Sequence, residues 1–422
     1  MNTSSSRLNY KWVILIVCFL MEFLCLGFCS SNVGLYTVPI TNALGIDRLA
    51  YSYWNSIRYA VQVFVALSFG SFINRFGIKK MVFCGLLSLI GATVLRATGT
   101  HLLHFYLAGA LHGFGIVYVG STMAGAIVRR WFHQDIGKYT GIVMSANGIG
   151  GAIAAQIISP IINNGEIFGY RKAYLLSAVI ALAISVFILI LLREKPAGSP
   201  VITNTQKKPR GALWVGMDYA VVKKKAYFFI AALLIFLTGI SLQSIGSITI
   251  VYMTDLGISP AFIAATVTVS SLVLTCSKLL IGTTYDKWGL RVALLTCQFS
   301  ALSTFVLQGL LTNSTWGLVL AMTATVCSSI ALPLETVMIP LLTNDLFGSA
   351  SYNKVLGVFM AMNSLGLCLG SPMGELFRRI TGDYRLCFWT FSIIMAAVII
   401  SFQFIIQTAQ KDKAAILKAE TV

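Results

Sequence analysis

Apolar residues run in blocks of about 20 along almost the whole chain, each long enough to cross a bilayer core of about 30 Å as a helix. Twelve blocks stand out: 12–36, 52–73, 80–99, 103–128, 138–162, 172–192, 227–252, 261–284, 291–311, 316–342, 355–377 and 386–408. Backbone N–H and C=O groups in hydrocarbon must find partners within the chain, so each block is expected to be a helix. Their uniform apolar character excludes the alternating strands of an outer-membrane barrel. Polar residues interrupt the first and tenth blocks, which are therefore expected to be the least regular. The pattern predicts an all-α integral membrane protein with twelve transmembrane helices.

The longest polar break runs from Arg193 to Lys225 and divides the blocks six and six. Its first part, REKPAGSPVITNTQKKPRG, has the Pro, Gly, Ser and charge content of a flexible linker. The following ALWVGMDYAVVKKK reads as a short helix on the cytoplasmic surface. The halves on either side echo each other. GSFINRFGIKK (Gly70–Lys80) follows the second block, and GTTYDKWGLR (Gly282–Arg291) follows the eighth. GIVMSANGIG (Gly141–Gly150) opens the fifth block, and GVFMAMNSLG (Gly357–Gly366) opens the eleventh. Two motifs repeated at nearly one offset argue for duplication of a six-helix unit. The expected domains are an N-terminal six-helix bundle (1–192), a cytoplasmic linker (193–225), and a C-terminal bundle with a short cytoplasmic tail (226–422). Parallel six-helix halves are expected to bind substrate near the midplane between them and to work by rocking one half on the other.

The loop motif comprises Gly70, Asn74, Arg75, Gly77 and Lys79, with Gly282, Asp286, Lys287, Gly289 and Arg291 as its second copy. Its glycines suit a tight turn and close helix approach. Asp286 suits a helix cap or an ion pair, whereas Asn74 replaces that acid in the first copy. The motif reads either as a structural cytoplasmic turn or as a gating latch.

Composition narrows the function class. Only 11% of residues are charged, against about 25% in a soluble domain. The net charge is +17. With the N-terminus inside, most of the 31 Lys and Arg fall in cytoplasmic segments, which is the bias that sets topology. Both termini are therefore expected in the cytoplasm, in a multi-pass protein of the cell (inner or plasma) membrane. The first block is too long for a cleaved signal segment. Trp12, Trp54, Trp131, Trp288, Trp316 and Trp389 fall near block ends, as an interfacial belt requires. The nine cysteines lie mostly inside blocks and read as packing residues. No basic soluble module is present, so nucleic acid binding is not expected. No phosphate loop, metal-ligand spacing or nucleophile–base pair stands out, so no cofactor, metal or enzymatic activity is expected.

The two loop copies resemble the signature loop of the major facilitator superfamily. With twelve blocks and a central linker, the resemblance covers the whole chain and implies two pseudo-symmetric six-helix bundles, the major facilitator fold. RRWFHQDIGKYTGIVMSANGIGG (Arg129–Gly151) and LFGSASYNKVLGVFMAMNSLGLCLGSPMG (Leu346–Gly374) are similar to the oxalate:formate antiporter group and its relatives, the monocarboxylate transporters. That resemblance implies secondary active transport of small organic anions, foremost monocarboxylates, by alternating access. Proton symport or anion exchange would drive it. The implied partners are the anion, H⁺ or a counter-anion, and membrane lipid, with a monomer as the working unit. Rival readings are proton-coupled efflux of an amphipathic or cationic compound and a non-transporting membrane ligand sensor.

Lys278 is the one charge inside the eighth block. A cation at a helix centre costs roughly 2.5–3.5 kcal/mol on insertion scales. Read from the residues, it binds substrate, forms a structural ion pair or snorkels, although roughly 12 Å to the cytoplasmic end is far for a side chain. In monocarboxylate transporters an arginine four residues before a glycine pairs with the substrate carboxylate, and Lys278, four before Gly282, looks like its counterpart. The sequence departs from that pattern in several places. Lysine lacks arginine's bidentate fork. Leu274 stands where proton-carrying relatives have an aspartate, and Ser30, Ser31 and Asn32 occupy the region where they carry a lysine; these three read as substrate-binding groups for a carboxylate or hydroxyl, or as helix-packing residues. The second cation of oxalate exchangers aligns with Ala350, not with nearby Lys354, which favours a monoanion.

Tyr118, Asn147, Gln243, Ser247 and Asn363 are further candidates for lining a substrate cavity; Gln243 and Ser247 share a helical face. Glu22, Glu335 and His112 are the proton-coupling candidates. Glu335 lies between Pro333 and Pro340, where a kink is expected. Arg58 and Arg96, toward outer block ends, read as snorkelling cations or as attractors of anions.

Overall fold

The computed structural model describes residues 4–132, 136–193, 216–348 and 350–420. Among them every regular element is helical. Twelve helices are long and apolar enough to cross a membrane. They are Tyr10–Leu44, Arg48–Phe76, Ile78–Thr98, Leu102–Trp131, Tyr139–Ile162, Gly169–Leu191, Ala226–Asp255, Thr315–Phe347, Lys354–Thr381 and Arg385–Ile416, with the eighth and ninth in one run, Pro260–Gly309. Each overlaps its predicted block, and the Pro260–Gly309 run covers two of them. Most extend past it, because hydropathy marks only the hydrocarbon stretch while the helix continues into the interface. Of the predicted linker, 194–215 lies outside the described residues. The surface helix expected after it is one turn, Tyr219–Val222, with the Asp218 carboxylate accepting from Tyr219 N at 2.6 Å.

The two blocks expected to be irregular each hold a π-helical turn, Phe23–Phe28 and Leu334–Met338. In the first span the N–H groups of Cys29 and Ser31 reach the carbonyls of Leu24 and Leu26, at 2.9 and 3.1 Å. The widened turn runs into a short non-helical stretch, and the helix restarts at Val33–Leu44. Polar side chains close this break. Ser30 donates to Cys25 O and Ser31 to Leu26 O, both at 2.8 Å, and Asn32 Nδ2 donates to Gly151 O at 3.3 Å. Carbonyls left open in hydrocarbon would be costly, which explains a Ser-Ser-Asn run inside an apolar span. In the tenth span the cause is proline. Pro340 has no N–H for the carbonyl one turn back, and the helix widens there. The expected kink is this π turn, and Glu335 sits in it.

Gly77 and Gly289 join the second span to the third and the eighth to the ninth. Their φ values are 82° and 79°, with ψ at 163° and 177°, a region that only glycine enters freely. The second glycine of each loop copy is thus the turn itself. The first glycines, Gly70 and Gly282, have open space where a Cβ would stand, so the close helix approach expected of them is not found among the described residues. Asp286 is exposed and makes no ion pair among the described residues. Arg291 Nε donates to Gln403 Oε1 at 2.6 Å. Gly77→Ala and Gly289→Ala should each cost about 1–3 kcal/mol through backbone strain, read as lower unfolding temperatures. Gly70→Ala and Gly282→Ala should stay within about 0.5 kcal/mol of the parent.

The chain divides into two compact units, Met1–Val201 with Ile248–Thr275, and Ile202–Ser247 with Cys276–Val422. In the first, a Cβ on Gly27 would meet Gly150 Cα at 2.7 Å and Asn147 O at 2.8 Å. In the second, a Cβ on Gly239 would meet Asn363 O at 2.9 Å and Gly366 Cα at 3.4 Å. The first and fifth spans therefore touch through the same residue types as the seventh and eleventh. The Asn-x-x-Gly steps Asn147–Gly150 and Asn363–Gly366 belong to the sequence motif repeated between the halves. The duplication is carried by backbone-to-backbone contacts that only glycine permits.

Candidate functional site

In the first unit, polar groups gather around the break in the first span. Ser31 Oγ stands 3.3 Å from the Asn147 amide oxygen. A Cβ on Gly151 would meet Ser271 Oγ at 2.7 Å and Ser31 Cβ at 3.0 Å. Gly148 lies against the Ser271 backbone and Thr275 Oγ1. The glycines of the fifth span thus let Ser31, Ser271 and Thr275 close in beside Asn147. Ser271 and Thr275 follow at i and i+4 on one helical face; Lys278, which belongs to the second unit, is half-buried. A hydroxyl has one proton, and Ser30 and Ser31 direct theirs to the first span's own carbonyls. Ser30 is left to accept from its neighbour His112, while the Ser31 hydroxyl is shared between Leu26 O and the Asn147 amide oxygen.

A second cluster joins the second, third and fourth spans. Arg58 and Arg96 do not snorkel: they are 7% and 3% exposed. Their guanidinium carbons lie 5.7 and 4.4 Å from the ring centroid of buried Trp54, and Arg58 also lies over Tyr59 at 4.3 Å. Such contacts are worth up to about 2 kcal/mol when desolvated. Arg96 Nη2 is 3.0 Å from His112 Nδ1. A guanidinium only donates, so Nδ1 accepts and the neutral ring carries its proton on Nε2. That proton is donated to Ser30 Oγ at 2.9 Å, and Ser30 passes its own to Cys25 O. His112 is held in one tautomer, and taking a proton on Nδ1 would require release of Arg96. Gly109 and Gly113 rest on the backbone carbonyls of Trp54 and Arg58, which brings the second and fourth spans close enough to bury the pair. The sequence carried a signal for this arrangement: Trp54 and Arg58 share one helix face, and Gly109, His112 and Gly113 share another.

The remaining candidates are dispersed. Glu22, 1% exposed, accepts from Ser121 Oγ at 2.5 Å. Tyr118 is buried against Phe69 and Phe114, and its OH has no partner among the described residues. In the second unit Gln243 Nε2 donates to Ser371 Oγ at 3.3 Å, and Ser247 to Ser244 O at 2.8 Å. Asn363 lines a small cavity with Thr238, Gln298 and Met338. Glu335 Oε1 is buried with no hydrogen-bond partner among the described residues. Glu375 escaped the sequence reading because GELFRR looks like an interfacial charge cluster. It is buried and accepts from Tyr384 OH at 2.9 Å.

At one edge of the first unit, Arg48 and Asp255 form a bidentate ion pair, at 2.6 and 2.9 Å. It ties the start of the second span to the end of the seventh. Both side chains are partly exposed, so a double-mutant cycle on unfolding should give a coupling of about 1 kcal/mol that shrinks with added salt.

Comparison with known proteins places this architecture. The family model of the Major Facilitator Superfamily matches residues 15–245 and, again, 231–421. Monocarboxylate transporter 13 of Rattus norvegicus is 25% identical over 385 residues, covering 90% of this chain and 85% of that protein. Multidrug resistance protein 2 of Bacillus subtilis (strain 168) is 24% identical over 345 residues, covering 77% of this chain and 79% of its own length. The crystal structure of the nucleoside transporter NupG superposes with a TM-score of 0.74 at 17% identity, over 94% of this chain and 99% of that one, and so shares the fold. Twelve helices, the duplicated Asn-x-x-Gly packing and a match over both halves give one conclusion: the chain is a multi-pass membrane protein that belongs to the Major Facilitator Superfamily and resembles its monocarboxylate transporter group.

Proposed function

We propose that this transporter carries small organic anions, foremost monocarboxylates, with Lys278 as the counter-charge of the carboxylate. The observation that carries this reading is a half-buried lysine inside an apolar membrane span, Lys278. In the first unit, Ser271 and Thr275 of the same span pack on Gly148 and Gly151 beside Ser31 and Asn147. A cation at this depth is costly, and an anionic cargo offsets the cost in the loaded state. The monocarboxylate transporters similar to this chain over 90% or more of its length support the choice of substrate. Transport is by alternating access of two six-helix halves, 1–192 and 226–422, joined by the linker at 193–225. Both termini are cytoplasmic, and the turns at Gly77 and Gly289 lie on the cytoplasmic side. Proton symport or anion exchange drives the cycle.

A second reading is proton-coupled efflux of an amphipathic or cationic compound, with Glu22 and Glu335 as the charged groups. It is favoured by Glu335 Oε1, which has no hydrogen-bond partner among the described residues and sits in a π turn, and by the similarity to a multidrug resistance protein. Competition in proteoliposomes separates the two. Labelled lactate uptake should be inhibited by unlabelled lactate, pyruvate and formate, and left unchanged by a lipophilic cation such as tetraphenylphosphonium. Transport of the cation without any lactate uptake would sink the anion reading.

A further inference from the structure

We infer that Arg58, Arg96 and His112 form a second anion site, contained within the first unit and taking a small carboxylate. The choice of carboxylate rests on the proposed function; the site itself rests on its own geometry. Each guanidinium is a cation with donors only, and both side chains are more than nine-tenths buried. Neither forms an ion pair with a carboxylate among the described residues. Their partners are the faces of Trp54 and Tyr59 and the neutral imidazole of His112, which supply no full negative charge. Arg58 Nε is buried with no acceptor among the described residues.

Two like charges within 6 Å of one indole ring repel each other, and removal from water strengthens that repulsion. An anion supplies the direct ion pair that no carboxylate among the described residues makes with either arginine. The fork of Arg58, including Nε–H, matches the two oxygens of a planar carboxylate. Arg96 is aimed by its bond to His112, and His112 by Ser30. That chain fixes the orientation of one guanidinium before any ligand arrives. The walls are an indole, a phenol ring and two helix backbones drawn together at Gly109 and Gly113, so the site suits a small anion rather than a bulky one.

The test is thermal unfolding of the purified full chain in detergent, titrated with sodium lactate at constant ionic strength against a bulky sulfonate buffer. Wild type, Lys278→Gln, and Lys278→Gln combined with Arg58→Gln or with Arg96→Gln are compared. The Lys278→Gln protein should keep a saturable lactate-dependent rise in unfolding temperature. Adding either arginine substitution should weaken lactate affinity at least about tenfold, the loss of one charge-assisted contact. Should the glutamine variants fail to fold, Arg58→Lys and Arg96→Lys keep the charge, lose the fork and should still weaken lactate binding.

A lactate response in Lys278→Gln that neither arginine change alters would overturn the site and leave the proposed function standing. A response that vanishes in Lys278→Gln with both arginines intact would do the same. An equal rise with chloride overturns the carboxylate assignment. No lactate response in the wild type overturns both readings.

Discussion

Replacing Lys278 by Gln is expected to lower the initial rate of lactate uptake roughly 100-fold, which corresponds to about 2.7 kcal/mol and lies within the usual cost of truncating one partner of a desolvated charge pair. Glutamine keeps most of the side-chain volume and can still donate a hydrogen bond, so the change isolates the charge. Removing a cation from a span also lowers the insertion cost. The variant should therefore reach the membrane, with uptake reduced far more than stability. That combination separates substrate binding from a structural ion pair, whose loss would cost about 3–5 kcal/mol of stability. Lys278→Arg, which keeps the charge and adds the fork, should retain part of the uptake. Proteoliposome rates and unfolding temperatures on the same preparations decide the matter. Intact uptake at unchanged affinity in Lys278→Gln would remove Lys278 from the site.

The second large effect is structural. Gly150→Val and Gly366→Val should each destabilise the protein by about 3 kcal/mol or more, beyond ordinary overpacking of a core. A Cβ on Gly150 would lie 2.5 Å from Phe23 O and 3.0 Å from Gly27 Cα, and one on Gly366 would lie 2.9 Å from Ile240 N. These neighbours are helix backbone, which cannot rotate aside as a side chain does. The first and fifth spans, and likewise the seventh and eleventh, would be forced apart along their shared seam. Thermal unfolding and the yield of monodisperse protein measure the loss. Gly282→Ala, at a glycine with open space around it, is the matched control. Equal tolerance at all three positions would mean that the Asn-x-x-Gly seams do not hold the units together.

Much of this fold was legible in the sequence because a bilayer permits so few solutions. Twelve apolar blocks had to be twelve helices, and the polar interruptions of the first and tenth blocks became the two π turns. The repeated Asn147–Gly150 and Asn363–Gly366 steps pointed to a duplication, and their glycines proved to be the contact itself. The loop motif was read only in part. Gly77 and Gly289 make the turn, whereas Gly70 and Gly282 make no close approach. Helix ends were missed because hydropathy falls before the helix does.

The candidate sites were harder to read, for a different reason. Position along a span gives depth but not the neighbours on other helices. Arg58 and Arg96 look like interfacial cations in one dimension; only the Gly109–Gly113 contact shows that they are buried on Trp54 and His112. Ser30 and Ser31 look like free donors until the π turn exposes the carbonyls that take their protons. Glu375 was hidden by its proximity to Arg378 and Arg379 in the sequence.

The most direct measurement is uptake of labelled lactate by liposomes containing the purified protein, with either unlabelled lactate trapped inside or an inward proton gradient imposed. Saturable uptake above protein-free liposomes, stimulated by one of these conditions and lost in Lys278→Gln, is the predicted result. Trapped anion as the stimulus would identify exchange, and the gradient would identify symport. Absence of lactate uptake under both conditions, in protein shown to be folded, would contradict the assignment of small carboxylates as the cargo.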